Sequence, residues 1–421
     1  MYLKDIFIKT WHLGTLAKGT LAMTAGMGLR TLIQTAVFLV IARVLKVSDY
    51  GIYSALLALA GTFSNFVGMG MQTVMVREIS RDPKIFPTVW GETLFAILLS
   101  MPLLWIGYVA MAFAIVPSIS IEIVMFVGLA ELTFTPIVAA ALSAYQGYER
   151  IGRASRLFLT PVVPRFIGAL LLVALAPVTS SENRLAMWGM IYAVASLIGA
   201  IYAWRLLRKD LGIAKRPVFS ILLKKIPEGL SFSFGNVANR VYVDIDKTIL
   251  ANLSTLEITG IYSAGYRVVD FATVPVLSFL LAALPRFFRE SKMGMGHTLH
   301  YMWKILPMPF IFTVLSSFFL YSFASFLPML IGVEYVSTVS VLQWLAWLPI
   351  VSLPRLFLQT LLSATGQQMY VTIILLLGAG GNVFLNLYWI PTFGWQGAAL
   401  ATYAAEGLMA FLMLLISLRK V

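Results

Sequence analysis

From Leu16 onward, apolar stretches of bilayer-spanning length follow one another with only short polar interruptions. A helix that crosses the hydrocarbon core needs roughly 20 mostly apolar residues. Such stretches read at about 16–43, 49–76, 88–114, 119–145, 152–178 and 185–207, and again at about 226–253, 256–286, 298–328, 335–364, 368–390 and 395–417. Turn residues separate them, as at Asp82-Pro83, Thr179-Ser180-Ser181, Gly366-Gln367 and Pro391 through Gly394. With 60% hydrophobic and only 12% charged residues, a soluble fold of 421 residues would lack the polar surface to enclose its core. The chain is therefore expected to be an all-α polytopic membrane protein with about twelve transmembrane helices. Lys4, Lys9, His12 and Lys18 precede a long first stretch, which reads as a retained span rather than a cleaved signal.

Loop charge orients the chain. Lys4, Lys9 and Lys18 fall on one side, with Arg77, Arg81 and Lys84, then Arg150, Arg153 and Arg156. A basic connector, Arg205 through Lys225, joins that side, as do Arg286, Arg289, Lys292, Lys304, Arg419 and Lys420. The opposite loops carry Arg43, Lys46 and Arg184. Positive charge stays in the cytoplasm, so both termini and the connector are expected there, in the cytoplasmic (inner) membrane. The net charge of +13 is thus mainly a topology signal, and nucleic acid is not an expected partner. The connector is expected to lie on anionic lipid headgroups.

The sequence repeats itself. Gly51-Ile52-Tyr53-Ser54-Ala55 recurs as Gly260-Ile261-Tyr262-Ser263-Ala264, an offset of 209. Leu142-Ser143-Ala144 recurs as Leu362-Ser363-Ala364, and Leu207-Arg208-Lys209 as Leu418-Arg419-Lys420. A six-plus-six duplication follows, with an N-terminal lobe over 1–210, a connector over 211–225 and a C-terminal lobe over 226–421. Two parallel halves related by an axis along the membrane normal are expected to enclose a central cavity.

Several stretches carry a family resemblance. Ala42-Arg43-Val44-Leu45 with Asp49-Tyr50-Gly51-Ile52-Tyr53 resembles the helix 1–2 junction of Wzx-type polysaccharide flippases. Asp246-Lys247-Thr248-Ile249-Leu250, followed by Gly260-Ile261-Tyr262-Ser263-Ala264, resembles their helix 7–8 junction. Asn382, Asn386, Ile390-Pro391, Gly394, Gly397-Ala398-Ala399 and Ala401-Thr402 resemble their helix 11–12 junction. The family belongs to the multidrug/oligosaccharidyl-lipid/polysaccharide exporter superfamily. The resemblance implies two six-helix lobes around a central cavity lined by helices 1, 2, 7 and 8. It also implies transfer of a polyprenyl-diphosphate-linked oligosaccharide from the cytoplasmic to the outer leaflet by alternating access. Other membrane proteins of glycan assembly are candidate partners beside the bilayer itself. No cofactor is expected, and a Na+ gradient, an H+ gradient or the membrane potential remains open as the driving force.

Charges inside the spans mark the candidate site. A charge at a helix centre costs about 2.5–3.5 kcal/mol on insertion scales, so it is expected to face a cavity or a partner. Arg240, Asp244, Lys247 and Ala251 follow i, i+4, i+7, i+11 on helix 7 and share one face, which Asn236 extends. Arg30 on helix 1 is the leading single candidate. Arg267 and Asp270 stand on helix 8. A guanidinium stays protonated and presents planar paired donors, which suits a diphosphate. The substrate-binding candidates are Arg30, Arg240, Lys247 and Arg267, with Asn65, Asn236 and Asn239 for sugar hydroxyls. Asp244, Asp246 and Asp270 are candidates for ion coupling or structural pairing, because Arg240–Asp244 and Arg267–Asp270 also have the spacing of self-neutralising pairs. Asp244 and Asp246 point about 200° apart on a helix, so a shared metal is not expected. Glu131, Arg165 and Glu406 read as lobe-packing residues, and Arg355 as one that snorkels toward the cytoplasmic face. No catalytic constellation appears. Multidrug or cation antiport is the alternative function, and a membrane glycan polymerase ranks behind it because every outer loop is short.

Overall fold

A computed structural model describes residues 26, 28–117, 119–148, 150–180, 183–217 and 219–419. The N-terminal lysines of the topology argument (Lys4, Lys9 and Lys18) lie outside the described residues. Residues 28–44 form α1. Helices α2 (Val47–Ser64) and α3 (Met71–Arg81) make the second span, and α4 (Phe86–Ile115) the third. The fourth is α5 (Ile121–Gly128) running through a π-helical turn, Leu129–Phe134, into α6 (Thr135–Gly147). Then come α7 (Ile151–Leu159) with α8 (Val162–Leu175), and α9 (Arg184–Leu211). The second half comprises α10 (Phe219–Leu253), α11 (Leu256–Glu290), α12 (Met295–Ile305) with α13 (Pro307–Phe323), α14 (Leu327–Ile331), α15 (Thr338–Leu345) with α16 (Leu348–Ala364), α17 (Gln368–Phe393) and α18 (Trp395–Arg419).

Among the described residues, nine helices are long and apolar enough to cross a membrane. The other three of the twelve are α1, α2 with α3, and α10. Each of these three brings polar side chains to an internal cavity, among them Arg30 and Gln34, Asn65 and Gln72, and Asp244 and Lys247. Elsewhere the helices show large apolar side chains outward. Leu103 and Ile106 of α4 and Leu315 and Phe319 of α13 are exposed, as lipid-facing residues should be. Between helices the contacts are made by small residues, which let backbones approach. A Cβ on Gly168 would lie 2.2 Å from Ile191, and one on Gly378 2.3 Å from Met409.

Several spans are not the uninterrupted helices that hydropathy suggests. The second breaks at Gly68-Met69-Gly70, where all three residues have positive φ, 82°, 49° and 70°. Only glycine enters that region without penalty, so Gly68 and Gly70 are required by the break and not only by close packing. The Ser100 hydroxyl accepts from the Gly68 N–H at 2.9 Å, satisfying a donor that the break leaves free. The fifth span breaks at Thr160-Pro161 and the tenth at residues 346–347. Helix α10 begins at Phe219, so the last part of the expected connector is helical.

The C-terminal lobe holds a buried ion pair. Arg355 of α16 donates to Glu406 of α18 at 2.5 and 3.1 Å, and to Gln359 at 2.9 Å. Both charged residues are buried. Arg355 therefore does not snorkel to the membrane face: a bidentate carboxylate partner within the lobe satisfies it where it stands. Glu406 packs within its lobe as expected.

Candidate functional site

A cavity of about 550 Å³ lies between the two halves. Its walls come from α1, α2, α3, the π-turn and α6, α8, α9, α10 and α11. Arg30, Asn65, Asp244, Lys247, Arg267 and Asp270 all line it, so six of the sequence candidates converge on one space. The side chains of Asn236, Asn239 and Arg240 lie outside the described residues. Asp246 is not in the wall. It is buried, accepts from the Tyr262 hydroxyl at 2.8 Å and from the Lys247 N–H at 2.8 Å, and so faces α11. The 200° separation from Asp244 on one helix is the reason.

One end of the cavity is sealed by the repeated motif. A Cβ on Gly51 would lie 1.9 Å from the Leu256 carbonyl oxygen, and one on Gly260 2.1 Å from that of Val47. The starts of α2 and α11 are thus in backbone contact through the first glycine of each GIYSA copy. The Tyr50 ring adds an edge contact to Tyr335 of the other half, with centroids 6.5 Å apart. From this seal the cavity runs toward the connector end as far as Gln72, Thr73 and Ser233.

At the connector end, α10 is tied to the N-terminal half. Lys225 bridges Glu92 at 2.8 Å and Glu78 at 3.4 Å, and Arg77 pairs with Glu228. Gly70 and Gly229 touch, since a Cβ on Gly70 would lie 1.8 Å from the Gly229 oxygen. The Lys215 N–H donates to the Pro87 carbonyl at 2.7 Å. Lys225 is therefore not spread on lipid headgroups. It neutralises Glu92, which is only 1% exposed and would otherwise be an uncompensated buried charge.

The charged groups of the wall differ in how far their neighbours engage them. Lys247 donates to Asp244 at 2.9 Å and to the Val243 carbonyl at 3.1 Å, lies 3.6 Å from Asp246, and sits 4.2 Å over the Tyr266 ring. Arg165 and Glu131 also line the cavity, which a packing role does not anticipate. Arg165 is 3.5 Å from Glu131, donates to Ser196 at 2.8 Å and stacks 3.9 Å over Tyr192, whose hydroxyl donates to Glu131 at 2.5 Å. The π-turn explains the placement of Glu131: an extra residue in one turn rotates the following helix and presents a side chain that α periodicity would place elsewhere. Ser64 of α2 donates to the Glu131 carbonyl at 2.7 Å, holding that turn against the cavity.

Arg267 and Asp270 behave differently. Their i,i+3 spacing permits a pair; the two charges interact across it without a direct hydrogen bond among the described residues, and both border the cavity. Among the described residues the wall holds Arg30, Arg165, Lys247 and Arg267 against Glu131, Asp244 and Asp270, one basic group in excess. Tyr50, Tyr53 and Tyr192 supply its aromatic surface, which sequence reasoning did not single out. Each tyrosine lies in an ordinary apolar span, and only the fold brings the three together.

Spanning helices in two halves around a charged internal cavity define the class: a polytopic membrane protein with a transporter fold. The chain belongs to the polysaccharide biosynthesis protein family, which it matches over residues 16–291. This agrees with the Wzx-type resemblance of the sequence. Its fold is similar to that of an inward-facing multidrug resistance MATE family transporter of the MOP superfamily, at 14% identity and TM-score 0.73, covering 96% of this chain and 97% of that one. It is also similar to an outward-facing MATE family transporter, at 12% identity and TM-score 0.65, covering 96% and 95%. A MOP superfamily transporter from Pyrococcus furiosus, described by the reverse polarity of its binding pocket, matches at 13% identity and TM-score 0.66, again covering 96% and 95%. No curated protein matches the chain in sequence.

Proposed function

We propose that the protein is a flippase that moves a polyprenyl-diphosphate-linked oligosaccharide from the cytoplasmic to the outer leaflet by alternating access. The observation that carries this reading is Arg267. Its guanidinium borders the cavity, in the same space as Arg30 and near Asp244 and Asp270. Two guanidiniums in one internal space present planar paired donors, and an anionic diphosphate is the ligand they fit. Asn65, whose amide NH2 donates to the Gly61 carbonyl at 2.7 Å, keeps its oxygen as an acceptor for a sugar hydroxyl. Family membership in polysaccharide biosynthesis supports the glycan part of the reading. The basic loops support an orientation with the connector in the cytoplasm, in the inner membrane.

Export of an organic cation is a second reading, favoured by Tyr50, Tyr53 and Tyr192 beside the acidic groups of the wall. It is weakened because Lys247 engages Asp244, Arg165 engages Glu131, and the charges of Lys247 and Arg267 act on Asp270. The deciding experiment reconstitutes the protein with lipid-linked glycan and reads the leaflet distribution, for the wild type and for Arg30→Ala and Arg267→Ala. The proposal expects transfer by the wild type and its loss in both variants. Wild-type transfer in both variants, or drug efflux without glycan transfer, would overturn it.

A further inference from the structure

A second pocket opens off the central cavity into the N-terminal half, with a volume of about 200 Å³. Its mouth is polar. Arg30, Glu131 and Arg165 line both spaces and stand between them. Its back is apolar, formed by Val138 and Leu142 of α6, Leu157 and Phe158 of α7, and Pro161 at the α7–α8 break. The room has a local cause: α7 ends at Leu159 and α8 starts at Val162, so no continuous helix fills the space behind α6. Arg30 marks the boundary, with its guanidinium 5.8 Å from the Phe158 ring centroid.

We infer that this side pocket holds the first isoprene units of the carrier lipid while the diphosphate sits at Arg30 and Arg267. The inference rests on the proposed flippase reading and adds where the tail goes. The juxtaposition of guanidinium mouth and hydrocarbon back matches an amphiphile whose anionic group joins directly to an apolar chain. A sugar would set its hydroxyls against an apolar back wall that offers no hydrogen bonds, and a plain hydrocarbon would make no use of the Arg30 guanidinium at the mouth. Packing between α6 and the α7–α8 break also keeps the tail off the polar groups of the main cavity.

The test compares two probes on purified protein: a glycosyl diphosphate on a long prenyl chain, and the same headgroup capped by a methyl group in place of the prenyl chain. Val138→Phe and Leu142→Phe fill the pocket. Each is expected to weaken long-chain binding at least tenfold, the loss that follows from excluding about two buried methylene groups. Binding of the methyl-capped headgroup is expected to stay within about twofold, which also reports that the variant is folded. A diazirine on the first isoprene unit gives a reading without any variant: in the wild type it should crosslink within residues 138–161. Equal long-chain affinity in the filled variants, or crosslinks confined to other helices, overturns the inference. So does loss of phosphatidate binding in the filled variants with long-chain glycan binding intact, since the pocket then serves a membrane phospholipid. If the wild type binds neither glycosyl diphosphate probe, the flippase reading itself fails, which is a separate outcome.

Discussion

Replacing Gly51 by alanine should open the sealed end of the cavity. The added Cβ would sit 1.9 Å from the Leu256 carbonyl oxygen and 2.9 Å from the Gly260 nitrogen. Both are backbone atoms, which cannot swing aside as a side chain can. To restore ordinary contact at 3.4 Å, α2 and α11 must separate by about 1.5 Å at this point. Overpacking of this kind costs about 1–3 kcal/mol, and here only the sealed conformation bears it. That corresponds to a shift of about 5- to 150-fold toward conformations open at this end. Because the chain contains no cysteine, a single Ser263→Cys in the cavity wall reports access without background. In vesicles, labelling by a membrane-impermeant maleimide from the helix 1–2 hairpin side should accelerate by that factor in the Gly51→Ala background. Gly260→Ala should act alike, and the double variant should show less than the sum, since one separation relieves both clashes. Unchanged labelling in a protein that still inserts and melts normally would refute the role of the glycine seal.

Three further outcomes follow from the packing. Arg355→Met should destabilise the C-terminal half by about 3–5 kcal/mol by leaving Glu406 buried and unpaired, whereas Arg355→Met with Glu406→Leu should recover most of that in a detergent melting assay. Gly70→Ala should cost about 1–3 kcal/mol in the same assay, because it places a side chain at positive φ and against the Gly229 carbonyl. Lys225→Ala should loosen the first turns of α10 and raise their hydrogen exchange, and Lys225→Arg should restore protection by keeping a cation beside Glu92.

Much of this architecture was legible in the sequence, and particular residues explain where legibility stopped. Spanning helices announce themselves because the bilayer demands length and apolarity of each one separately. Arg30, Asp244, Lys247, Arg267 and Asp270 stood out for the same reason: a charge in such a helix needs a local cause, and the shared cavity is that cause. The one-face rule also separates Asp246, turned to Tyr262, from Asp244, turned to the cavity. What the rule cannot see is a change of helical period. The π-turn at Leu129–Phe134 re-aims Glu131, so a residue read as packing reaches the wall together with its partner Arg165. Nor does spacing settle pairing. Among the described residues Arg267 and Asp270 stand three residues apart without a direct hydrogen bond, whereas Lys225 reaches acids far away in sequence, Glu78 and Glu92. Likewise the glycines at 68 and 70 are visible as small residues, but their positive φ is a property of the broken helix they permit.

The central claim is that the cavity arginines take the anionic headgroup of a lipid-linked glycan. The most direct measurement is a binding titration of a short-chain prenyl diphosphate headgroup against wild type, Arg267→Ala and Arg267→Lys. Loss of one charge-assisted contact of about 1.5–3 kcal/mol predicts that alanine weakens binding roughly 10- to 150-fold. Lysine should recover part of it, since it keeps the charge but not the paired donors. Equal affinity in all three proteins, with each confirmed folded, would contradict the account.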